Sequence, residues 1–241
     1  MKLKSLVGLI LFSYLLQAET LTIYNNLILK WPIKEIKENF KKENPNIKIR
    51  VLNAPLKVLI KKIITLKKAD ILIAGSDKFI KKNPSLFSKE YVTIGKNIPV
   101  IVHRKNESYT LDDFEKKRVV LGYKNTTSIG NVAYEILTNY KNHAFANKIF
   151  DKAIKVKNSH SLLNAIIYKE ADVGINWKGA IYWPHKEYKV LDYEEIDPNL
   201  YQPRKVTAII TSYSKNEKIA KKFLDFLLTP SSQQILRKWG F

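Results

Sequence analysis

Residues 69–76 read ADILIAGS, an apolar run closed by Gly75 and Ser76. A strand with apolar side chains on both faces needs cover on both faces, which a sheet sandwiched between helices provides. The preceding residues fit that demand. LTIYNN (21–26) reads as a strand, and Trp31, Ile33, Ile36 and Phe40 fall at helical spacing within residues 31–42. NPN at 44–46 ends that helix, IKIRVLN (47–53) alternates as a strand, and Pro55 opens an amphipathic helix through residue 68. Three strand–helix steps predict an α/β fold on a doubly wound parallel sheet.

The series continues with strands at 98–104, 118–123, 171–177 and 206–211, and with helices at 159–170, 216–229 and the C-terminal end. No repeat or low-complexity linker interrupts it, so if the chain forms two lobes, strands that cross between them must join them. The polar segment NTTSIGN (125–131) runs directly into the helical VAYEILTNY. Free N–H groups and the helix dipole make such a start suited to an anion, although a hydroxyl there is equally suited to plain helix capping.

At the N-terminus, Lys2 and Lys4 precede the apolar run LVGLILFSYLL and Ala18, the layout of a secretory signal peptide over residues 1–18. The run is about a dozen residues, short of the roughly 20 needed to span a bilayer. With no cysteine to carry a lipid or a disulfide, the expectation is an exported, periplasmic protein that is soluble after cleavage.

The net charge is +20, from 42 Lys and Arg against 22 Asp and Glu, which raises nucleic acid or an anionic surface as a rival partner. The lysines, as in KEIKENFKKEN and EKIAKKF, alternate with the apolar positions of amphipathic helices and read as solvated faces, so no nucleic-acid partner is expected. Four scattered histidines, with no HExxH or GxSxG, give an enzyme no recognisable nucleophile or metal cluster. Neither enzyme activity nor a cofactor is therefore expected.

In order and spacing, ADILIAGSDKFI, TSIGNVAYEIL, EADVGINWKGA, VTAIIT and the closing ILRKWGF resemble the periplasmic molybdate-binding proteins of ABC importers across nearly the whole chain after residue 18. The resemblance implies a type 2 periplasmic-binding fold with two doubly wound lobes joined by crossover strands. Lobe one would take residues 19–100 and 207–241, and lobe two residues 101–206. The implied ligand is a tetrahedral oxyanion, molybdate or tungstate, held in the cleft without a metal and passed to a permease by a monomeric protein. Another small anion is the alternative. The family's ligand positions fall at Asn26, at Leu56 or Lys57, at Ile129 with Ser128 and Gly130 beside it, at Ser159 and at Trp177. Asn26, Lys57 and Trp177 stand where the family has hydroxyl side chains, which leaves the identity of the anion open.

Overall fold

The computed structural model describes residues 19–241, so the expected signal peptide lies outside the described residues. In chain order the elements are β1 (Thr20–Asn26), α1 (Lys30–Glu43), β2 (Lys48–Ala54), α2 (Leu56–Leu66), β3 (Ile71–Ala74), α3 (Lys78–Lys82), β4 (Phe87–Asn97) and β5 (Pro99–Arg104). There follow β6 (Val119–Gly122), α4 (Ser128–Tyr140), α5 (His143–Lys152), β7 (Ile154–Val156), α6 (Ser159–Ile167), β8 (Val173–Trp177) and α7 (Lys178–Ile181). The chain closes with β9 (Leu191–Glu195), β10 (Arg204–Thr211), α8 (Glu217–Leu227) and α9 (Pro230–Lys238).

These strands form two five-stranded sheets, ordered β2-β1-β3-β10-β4 and β7-β6-β8-β5-β9. Each is parallel over its first three strands, which in lobe one are the three of the strand–helix steps, and antiparallel where the chain crosses between lobes. Only Ile98 separates β4 in the first sheet from β5 in the second, and the return path enters the first sheet at Arg204. Pairing of Pro99 with Trp177, and of Thr207 with Ala74, puts both crossovers at the carboxyl ends of the parallel strands. A ligand crevice in an open α/β sheet belongs at that edge.

Strand alternation divides the core of lobe one. Leu21, Ile23, Ile71 and Ile73 join the large cluster with Phe40 of α1, while Tyr24, Leu72 and Ala74 face Leu59, Ile60 and Ile63 of α2. The lysines lie on the outward faces of the helices, with Lys34, Lys41, Lys61, Lys218, Lys221 and Lys222 all exposed.

In lobe two, Asp172 ties the start of β8 to β6. Its carboxylate accepts from the Arg118 backbone N–H at 3.0 Å and from the Arg118 guanidinium at 2.6 and 3.2 Å. Hydrogen bonding to Arg118 holds the Asp172 carboxyl below the usual carboxylate range, outweighing its partial burial. The stabilisation is therefore complete above roughly pH 4, the unfolded value, and is lost as pH falls below it. We predict that Asp172→Asn lowers stability at pH 7 and flattens the acid limb of a pH series of urea melts. Because the Arg118 side chain is 58% exposed, solvent screening keeps the effect modest.

Candidate functional site

The carboxyl edge of the second sheet carries the starts of two helices. After β6, Thr127 caps α4: its hydroxyl accepts from the Gly130 N–H at 3.0 Å and donates to the Tyr123 carbonyl at 2.9 Å. Asn125 adopts a positive φ of 67°, and its N–H reaches the Asn131 side chain at 2.7 Å, closing the loop against the helix it leads into. The N–H groups of Ser128 and Ile129 in the first turn have no intrahelical acceptor. After β7, Asn158 caps α6 by accepting from Ser161 N–H at 2.8 Å, so Ser159 and His160 present the corresponding N–H groups.

Between these two helix starts lies a cavity of about 360 Å³ lined by Tyr123, Thr126, Thr127 and Lys157. The Thr127 hydroxyl spends its proton on Tyr123 O, which leaves the Lys157 ammonium and the helix N-terminus as the groups whose sign favours an anion. Beside it, Asn176 at the end of β8 donates to the Ser159 carbonyl at 3.1 Å and accepts from the Trp177 N–H at 2.8 Å, which binds β8 to the start of α6. Behind α6, His160 pairs with Tyr188 at 2.5 Å, and burial pushes the Tyr188 phenol up to about 12.

The residues singled out in the sequence divide between the two sheets. Ser128 is exposed and Ile129 is buried, so the latter can offer only its backbone N–H. Gly130 gives its N–H to the Thr127 hydroxyl. Its part is packing: a Cβ there would lie 2.4 Å from the carbonyl oxygens of Gly122 and Tyr123, so only glycine lets α4 sit this close to β6. Ser159 stands in the first turn of α6. Trp177 is buried at the end of β8.

Asn26 and Lys57 lie on the carboxyl edge of the first sheet, where Asn26 pairs in register with Ala54 just before α2. The Asn26 side-chain oxygen accepts from Ile28 N–H at 3.3 Å, leaving its NH₂ group for another acceptor. Lys57 is exposed in the first turn of α2. Neither residue lines the cavity. The turn at Leu27–Leu29, directly after Asn26, packs on α7, which follows Trp177. Sequence reasoning missed Tyr123, Thr126 and Lys157 as lining residues. The position of Lys157 just before the Asn158 cap was the available signal, obscured by the many lysines elsewhere. Among the described residues, no three His, Asp or Glu side chains converge as a metal site.

Two α/β lobes, joined by crossover strands at the edge where both sheets end, make up the type 2 periplasmic-binding fold. The sequence pattern of the bacterial extracellular solute-binding proteins matches residues 21–241, and the chain belongs to that family. A Haemophilus influenzae protein, described only as a candidate binding protein, is 25% identical over 100% of this chain and 98% of its own length. The substrate-binding domain of a candidate molybdenum ABC transporter from Clostridium difficile superposes with a TM-score of 0.77 at 24% identity, covering 92% of this chain and 97% of that one. The sulfate-binding protein of Mycobacterium tuberculosis gives a TM-score of 0.74 at 12% identity, covering 92% of this chain and 86% of its own.

Proposed function

We propose that the chain is the periplasmic binding protein of an ABC importer and captures a small oxyanion, with molybdate or tungstate as the first candidates. The observation that carries this reading is the cavity at the start of α4, whose lining includes Lys157 beside a helix N-terminus. Ser128 and Ile129 N–H groups, Ser159 and the Trp177 indole complete the lobe-two side, while Asn26 and the first turn of α2 at Lys57 supply the other. Residues 19–100 with 207–241, and residues 101–206, act as the two moving units. Closure surrounds the anion with donors and presents the joined lobes of a monomer to the permease, after export directed by residues 1–18.

Donors without a facing carboxylate favour a fully deprotonated ligand. Lys157 adds a full positive charge, so the ligand must match a cation as well as neutral dipoles. Sulfate and other small anions remain within that chemistry. Lys157→Glu reverses the charge on the cavity wall and is expected to weaken oxyanion binding at least about tenfold, about 1.4 kcal/mol, in calorimetric titration. An unchanged affinity would remove the cavity from the binding site.

A further inference from the structure

The closing residues Trp239, Gly240 and Phe241 do more than end a helix. Phe241 N–H bonds to Leu236 O and Gly240 N–H to Arg237 O, each at 3.0 Å, a Schellman turn made possible by Gly240 at φ 82°. This turn sends Phe241 back across the molecule. Trp239 is fastened to lobe one, donating its indole N–H to Glu35 at 2.9 Å and stacking on Trp31 with ring centroids 6.5 Å apart.

Phe241 then lies between the lobes. Its backbone and Cβ come 3.4 Å from where a Cβ on Gly95 of β4 would stand. Its ring edge lies 2.7–2.8 Å from the corresponding point on Gly179 of α7, and the Trp239 carbonyl lies 3.1 Å from that same point. Gly179 leaves the space the aromatic ring fills, and Gly95 leaves room for the Phe241 backbone and Cβ. The other end of the contact is fixed too: Lys178 N–H at the start of α7 donates to the carbonyl of Ile98, the single crossover residue, at 2.8 Å.

We propose that Phe241 against Gly179 is the fulcrum on which the lobes turn, a positioning contact that sets the angle between them without touching ligand. The ring is anchored to lobe one, bears on a lobe-two helix and sits beside the crossover, so opening or closing must roll across it.

The chain has no cysteine, so labels at Lys61→Cys and Glu170→Cys, both exposed and in different lobes, report the interlobe distance by pulsed electron spin resonance. The expected result is a broadened distribution in Phe241→Ala, restored by Phe241→Leu, and a displaced centre in Gly179→Val. Phe79→Ala, which removes a ring packed wholly within lobe one, is expected to leave the distribution as in the parent. Parent-like distributions in folded Phe241→Ala and Gly179→Val, or equal broadening in Phe79→Ala, would overturn the assignment. Gly179→Ala serves as the milder variant should the valine protein fail to fold.

Discussion

Arg204→Ala is expected to destabilise the protein by about 3 kcal/mol, toward the lower end for a broken buried ion pair because Glu135 keeps some contact with water. Arg204 opens β10, its side chain only 6% exposed, and its guanidinium meets the Glu135 carboxylate of α4 while donating to Gln202 O at 2.8 Å. Glu135 also accepts from Gln202 N–H at 2.7 Å, so the crossover and α4 share one hydrogen-bonded ring. Truncating Arg204 leaves the carboxylate without its cation in a low-dielectric place, whereas the double change Arg204→Met, Glu135→Gln removes both charges and should recover much of the loss. Urea melts of the two variants measure the difference. In a chain of this size the single change should lower Tm by roughly 6–12 °C. Equal stability of single and double variants would mean that the charge pair is not what joins α4 to the crossover.

Gly130→Val is expected to be comparably severe and to act on function as well. The added Cβ meets two backbone oxygens at 2.4 Å, and backbone cannot rotate aside as the end of a side chain can. Relief requires α4 to move off β6, at a cost of about 3 kcal/mol, the upper end for overpacking. That movement displaces the first turn of α4, with the Ser128 and Ile129 N–H groups, from the proposed site. Anion affinity should therefore fall at least about tenfold, about 1.4 kcal/mol, under conditions where circular dichroism shows the variant folded. Full affinity in a folded Gly130→Val protein would show that the start of α4 does not hold the ligand.

What the sequence made legible was whatever buried both faces of an element or broke its period. ADILIAGS and ADVGINW read as covered strands because no polar face competes in either, and β3 and β8 are indeed buried throughout. NTTSIGN announced the start of α4 because a hydroxyl cap has a local cause. Strand β4 did not announce itself. Its lysine-bearing outer face and two register irregularities against β10 destroy the simple alternation that marks a half-buried strand. The directions of β5 and β10 were hidden as well, since a strand's composition does not record whether its neighbour runs with or against it. Helix α5 went unread, although Asn142 caps it and Phe145, Ala146, Ile149 and Phe150 form its buried face. At the site, the capping loop was legible and Lys157 was not. A single lysine among many gains its place only when β7 brings it beside the loop after β6.

The central claim, a cleft that captures an oxyanion, is tested most directly by thermal unfolding of the chain from residue 19 onward. The series uses molybdate, tungstate, sulfate, phosphate and chloride at fixed ionic strength. An anion present at about 100 times its dissociation constant stabilises by about 2.7 kcal/mol, a Tm rise of roughly 5–11 °C for a chain of this size. The account predicts such a rise with at least one tetrahedral oxyanion, molybdate or tungstate foremost, and none with chloride. No rise with any oxyanion, or an equal rise with every salt, would contradict it.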